Sequence, residues 1–163
     1  MVATLEPGLL RLGHIGDCSA FLVLASAPWV IELTEPHTPE RRDEFDRIHQ
    51  AGGFVFRSRH GVYRVNGELN VSRSIGSVKH RPSVSAECDY HEIELDPHYQ
   101  HLVMCSDGLL EKLTAQDIAE YVHHTSSMGL TACEISNGLV QQATDSGSKD
   151  NISVSVTSLA NFV

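Results

Sequence analysis

Residues 101–111 read HLVMCSDGLLE. His101–Cys105 is a continuous apolar run that leads directly into Ser106-Asp107-Gly108, the pattern of a buried strand ending in a turn. A carboxylate placed at the end of such a strand is held rigidly at the sheet edge. A glycine beside it lets backbone or a cation approach closely. Glu111 lies four residues beyond Asp107 and comes to the same side if the chain curls into a helical turn there.

Upstream, Val84–Leu95 alternates and predicts a strand pair or one long strand. Earlier still, Leu10–Ile15, Ala20–Ala25 and Trp29–Leu33 read as short strands bounded by turn formers. Phe54–Arg57 and Gly61–Val65 read as two strands around an Arg59-His60 turn, with Asn66-Gly67 as a further turn. Thr38 and Pro39 predict the start of a helix whose core stripe is Phe45, Ile48 and Ala51 and which ends at Gly52-Gly53. Downstream, Thr114 with Asp117 resembles a capping box with an apolar face of Ile118, Tyr121 and Val122 behind it. A second helix is expected over about Thr131–Ala143. Asn151–Thr157 alternates as a half-buried strand. Many strands and few helices, without a regular βαβ alternation, predict an α+β fold with antiparallel sheets.

Composition narrows the function. The 163 residues suit a single domain, and a hydrophobic fraction of 41% suffices for a core. The formal charge of −9 argues against nucleic acid as the partner and suits a site for divalent cations. No apolar run approaches the ~20 residues of a membrane span, and no secretory signal is visible, so neither a membrane nor export is expected and an intracellular place is. The four cysteines are widely spaced and contain no C-x-x-C pair, which predicts buried reduced thiols. The ten histidines show no H-E-x-x-H pattern and read as surface or core residues. Three acidic turns stand out: Gly16-Asp17, Asp107-Gly108 with Glu111, and Asp150-Asn151. Each alone is an ordinary turn; together they can supply the oxygen ligands that hard cations require.

Taken in order, these segments resemble one family. Gly16-Asp17-Cys18-Ser19-Ala20 is similar to a Gly-Asp-Ser-Arg-Ala segment, and Leu33–His37 to Leu-Thr-x-Asp-His. Glu44, Arg47, Ile48 and Ala51-Gly52-Gly53 match a helix ending in Ala-Gly-Gly. Arg64-Val65-Asn66-Gly67 and Leu69–Gly76 match Arg-Val-Asn-Gly and Leu-Ala-Val-Ser-Arg-Ala-x-Gly. Ser106–Glu111 matches Ser-Asp-Gly-Leu-Trp-Asp, and Ser148–Val154 matches Ser-x-Asp-Asn-x-(Ser/Thr)-Val. The family is that of the metal-dependent, type 2C serine/threonine protein phosphatases, and the resemblance runs from about Leu10 to Thr157.

The resemblance implies two packed antiparallel β-sheets flanked by helices, an α-β-β-α sandwich. It implies hydrolysis of phosphoserine and phosphothreonine in phosphoprotein substrates by a water held on a pair of Mg²⁺ or Mn²⁺ ions about 3.5–4 Å apart. By position, Asp107 and Asp150 match ligands of the metal pair, and Asp17, Asp107 and Glu111 match a third site, where the family has Asp in place of Glu111. His60 and Arg59, with Arg57 and Arg64 nearby, are substrate-binding candidates in a flap. Ser77 stands where the family commonly has Asp. The family's Asp-Gly-His-Gly-Gly ligand motif has no counterpart here, so residues 1–163 are expected to form one domain that is incomplete at its N-terminus. Three accounts follow: an active phosphatase lacking that part, an inactive pseudophosphatase serving as a binding or regulatory module, or a half-domain completed by another polypeptide. A regulatory protein partner is compatible with each of them.

Overall fold

The computed structural model describes residues Met1–Val163. In chain order the elements are β1 (Val2–Glu6), β2 (Leu9–His14), β3 (Ser19–Leu24), β4 (Val30–Glu32), α1 (Arg42–Gln50), β5 (Val55–Arg57), β6 (Tyr63–Val65), β7 (Asp89–Glu94), β8 (Tyr99–Cys105), α2 (Asp107–Leu110), α3 (Ala115–Ser127), α4 (Ala132–Asp145) and β9 (Val154–Ser158). No helix is long and apolar enough to cross a membrane. The chain packs as two compact units. One comprises Ala3–Leu12, Cys18–Glu35 and His91–Val163; the other comprises Met1–Val2, Gly13–Asp17 and Pro36–Tyr90.

The first unit is built on a four-stranded sheet in the order β4-β3-β8-β9. Its pairings are antiparallel, with Ser19 opposite Cys105 and Cys105 opposite Val154. Strand β3 is apolar from Ala20 to Leu24 because both faces of the sheet are covered. Phe21, Val23, Val103 and Cys105 point into one cluster with Ile118 and Val122 of α3 and Ile135 and Leu139 of α4. Leu22 and Leu102 point the other way, into a cluster with Leu10, Leu95 and Leu159 against which Leu5 and Ile93 also pack. The second layer is therefore the sheet β1-β2-β7, giving helices, sheet and sheet in succession. The fold is α+β, as the sequence predicts. Helix α3 starts at the predicted capping box, with the Thr114 hydroxyl accepting from Asp117 N–H and the Asp117 carboxylate accepting from Thr114 N–H. Helix α4 has the same device, Thr131 with Glu134.

The second unit holds α1 and the hairpin β5–β6, in which Val55 pairs with Val65. Its apolar centre is small: Ile48, Val65 and Val84. Three sequence expectations change here. The helix begins at Arg42, not at Thr38-Pro39. Thr38 instead accepts a turn bond from Arg41 N–H at 3.2 Å, and Arg41 spends its side chain on Asp43. The inward face of α1 is Glu44 and Ile48, while Phe45 and Ala51 are only half-buried. Only Asp89–Glu94 of the predicted Val84–Leu95 strand forms one. Ser85 is drawn out of line by backbone bonds to Ser72 and Ser74.

Glu44 is 1% exposed and accounts for that inward face. Its carboxylate accepts from Arg47 at 2.8 Å and from Arg73 at 2.7 Å, with Arg41 at 3.7 Å. Burial alone would raise its pKa; the hydrogen bonds from Arg47 and Arg73 outweigh this and hold the carboxyl down at about 2. Because the folded value lies below the ordinary 4.5, the unfolded chain takes up the proton first. The stabilisation is thus complete above pH 4.5 and is lost as the pH falls from there towards 2. Glu44→Ala should lower unfolding free energy at neutral pH by about 3 kcal/mol, since it strands buried arginines. Urea titrations at pH 7 and at pH 3 should show that Glu44→Gln flattens the acid dependence.

Candidate active site

Asp107 follows strand β8 and Asp150 precedes strand β9, so adjacent antiparallel strands bring both residues to the same end of one sheet. Ser106 fastens the two turns together. Its N–H donates to Ser153 O at 3.0 Å, its hydroxyl donates to Asn151 O at 3.0 Å, and it accepts from Ser153 N–H at 3.0 Å. Gly108 is required at this contact. A Cβ there would lie 2.5 Å from Asn151 O and 3.3 Å from the Asp150 Cβ.

Asp107 and Asp150 are both exposed, and no salt bridge neutralises either. Two exposed carboxylates on turns that meet are a donor set of the hard-oxygen kind that Mg²⁺ or Mn²⁺ takes. The residues of this edge therefore fit such an ion. Glu111 is reached as the sequence predicts, through the single turn of α2. Its Oε2, however, accepts from Lys149 N–H at 3.0 Å and lies 2.9 Å from the Ser148 hydroxyl, which is also 2.8 Å from Gly108 O. The Lys149 amide and the Ser148 hydroxyl hold this carboxyl below its ordinary range. Glu111 thus already shapes the loop that carries Asp150.

Asp17 belongs to the other unit, where it borders a recess of about 350 Å³ together with Thr38, Glu40, His60, Tyr63 and Asn70. Of the flap candidates, Arg59 and His60 are exposed at the β5–β6 turn, and Arg57 lies over the Tyr63 ring at 5.3 Å. Ser77 adopts φ 42°, and its hydroxyl accepts from Ser74 at 2.7 Å.

One group of histidines departs from the expectation of isolated surface or core residues. His14, His37 and Asp89 bring a donor atom each to within 4.8 Å of one another. Lone pairs of imidazoles lie in the ring planes, and these rings stack at 4.5 Å with 17° between planes. They aim side by side, not at a common point. Asp89 already faces Arg73 at 2.8 Å. His37 and Arg73 thus share the Asp89 carboxylate, so a cation is already built in, and His14 joins the group through ring stacking. The signal in the sequence was Gly13-His14 in the strand before Gly16-Asp17, and it is too short to distinguish from a surface histidine.

The cysteines are all reduced, but only Cys105 is buried. Cys18 is half-buried, and Cys88 and Cys133 are exposed, because Cys133 opens α4 on its outer side. Burial pushes the Cys105 thiol up to about 12, so it behaves as an apolar side chain.

The profile of the family described as Protein phosphatase 2C matches residues 1–152. The chain belongs to this family. It is 38% identical over 158 residues to rat protein phosphatase 1F, covering 96% of the chain and 34% of that protein. It is 36% identical over 167 residues to a probable protein phosphatase 2C of rice, covering 99% of the chain and 41% of that protein. The chain therefore spans well under half of these relatives. Among solved structures, a C. elegans sex determining protein superposes with a TM-score of 0.84 at 27% identity, over 93% of the chain and 37% of that chain. A Toxoplasma gondii phosphatase gives 0.80 at 26%, over 91% and 47%. Members of the Protein phosphatase 2C family are metal-dependent. The close approach at Gly108 gives a direct test. Gly108→Ala should destabilise the chain by about 1–3 kcal/mol by overpacking against Asn151. Urea unfolding should show the loss, and calorimetric Mn²⁺ titration should show weaker binding.

Proposed function

We propose that this chain supplies part of the active site of a metal-dependent protein serine/threonine phosphatase. Its substrates would be phosphoserine and phosphothreonine in proteins. The observation that carries the reading is that the turns bearing the exposed Asp107 and Asp150 are held against each other by Ser106 and by the absence of a side chain at Gly108. In this reading Asp107 and Asp150 hold Mg²⁺ or Mn²⁺, with Asp17 and Glu111 as further ligands by their match to the family motifs. The bound ions would lower the pKa of a water and offset charge on the phosphoryl oxygens. Asp107 and Asp150 then act as oxygen donors at fixed positions, and Ser148 and Lys149 orient Glu111. Arg59 and His60, exposed on the β5–β6 turn, would meet the anionic phosphopeptide. Two cationic or protonatable groups there favour approach to an otherwise acidic chain.

Ser77 favours a second reading, an inactive member that binds partners. A hydroxyl committed to Ser74 replaces the carboxylate that the family motif carries at this point. Hydrolysis of a phosphothreonine peptide with and without millimolar Mn²⁺ separates the two. For an active chain, Mn²⁺-dependent turnover should fall by at least about 100-fold in Asp107→Ala and in Asp150→Ala, beyond what loss of an outer-sphere group costs. Folded protein that binds Mn²⁺ without turnover would support the second reading. Absence of Mn²⁺ binding in the folded wild-type chain would refute the assignment of Asp107 and Asp150.

A further inference from the structure

His37 is fully buried, and each of its polar groups has work. Its N–H donates to Gly16 O at 2.9 Å, and its carbonyl accepts from Ser72 N–H at 2.9 Å. Its ring Nδ1 lies 3.1 Å from Gly16 N, and its Nε2 lies 3.0 Å from Asp89 Oδ2. An amide nitrogen can only donate, so Nδ1 carries the lone pair and the ring proton sits on Nε2, facing the carboxylate. One neutral tautomer therefore satisfies both neighbours. Asp89 is held in turn by Arg73 at 2.8 Å, and Arg73 by Glu44 at 2.7 Å.

Both the amide and the carbonyl of Gly16 are thus gripped by a single residue. Gly16 sits at φ 95°, a conformation in which residues with a Cβ are strained. Fixing both polar groups of Gly16 fixes the dihedrals of the peptide that precedes Asp17, and with them the direction in which the Asp17 side chain leaves the backbone. We infer that His37, oriented by Asp89, is a positioning residue for Asp17 and so governs how tightly Asp17 helps to hold a divalent cation. The inference rests on the proposed reading of Asp17 as a metal ligand.

Calorimetric Mn²⁺ titration of the whole chain tests it, with Asp17→Asn marking the binding step that belongs to Asp17. His37→Gln can donate to Asp89 but offers no acceptor at the Nδ1 position. It should weaken that step about 10–100-fold, the usual cost of losing a group that orients a ligand. His37→Asn restores an acceptor near Nδ1 and should recover most of the affinity. A merely structural role would not produce that order. Wild-type affinity in His37→Gln, where Asp17→Asn removes a step, overturns the inference and leaves the ligand reading standing. Unchanged binding in Asp17→Asn overturns both. Should His37→Gln fail to fold, the tautomer of His37 in the wild-type chain decides. Long-range proton–nitrogen spectra showing Nε2–H support the inference, and Nδ1–H overturns it.

Discussion

The pairing of β3 with β8 is the constraint on which the phosphatase-like edge depends. Five residues of each strand, Ser19–Val23 against Cys105–His101, pair in unbroken register before a shift at Val23/Leu24, and both faces of the pair are covered. Phe21 and Val103 face the helices while Leu22 and Leu102 face the second sheet. Sliding the pair by one residue would exchange the two layers and leave neither packed. The register is therefore fixed by volume on both sides. Whatever follows Cys105 is presented at one place, and β9, paired to the same strand, sets Asp150 beside it. The hydrophobic layers set the two turns side by side, and the hydrogen bonds of Ser106 then tie them together.

The other unit solves its positioning problem differently. Its apolar centre is too small to fix much, with Ile48, Val65 and Val84 as its fully buried hydrophobics. Charge takes over: Glu44 lies among Arg41, Arg47 and Arg73, and the chain of contacts continues through Asp89 to His37. Such a network is costly to desolvate and unforgiving of single losses, but it has defined directions where hydrophobic contact has none. Arg47 and Arg73 also reach the backbone carbonyls of Ser72, Ser83 and Glu87, so the same ions order the loop backbone of Ser72–Glu87. This explains why a short helix with a carboxylate on its inner face is stable.

The difference between the units also explains what could be read from the sequence. Strands β3, β8 and β9 and helices α3 and α4 announce themselves through apolar runs, alternation and capping boxes, since their placement follows from hydrophobic periodicity. Asp107 and Asp150 draw notice for a related reason: each lies in the turn next to such a strand, after β8 and before β9. The start of α1 was misread at Thr38-Pro39, because the local cap signal competes with a turn tied back through His37 to Gly16 and Ser72. Glu44 is polar, so a search for an apolar stripe passes over it in favour of Phe45. The His14–His37–Asp89 cluster draws on three distant segments, and no local pattern encodes such a meeting.

The acidic residues themselves divide in a way that bears on function. Glu44 and Asp89 are matched to arginines, Asp117 and Glu134 close capping boxes, and Glu111 ties down the Ser148–Lys149 loop. Each of these carboxylates has a structural reason to be there. Asp107 and Asp150 have none of comparable weight. The Asp150 carboxylate caps only the adjacent Asn151 N–H, and Asp107 is exposed at the start of a single helical turn. Placing two like charges in turns that meet is unfavourable in isolation, and a fold that needed only a turn could use Asn or Ser at either position. A cation would compensate that repulsion, and this is the physical ground for proposing the metal site at Asp107 and Asp150.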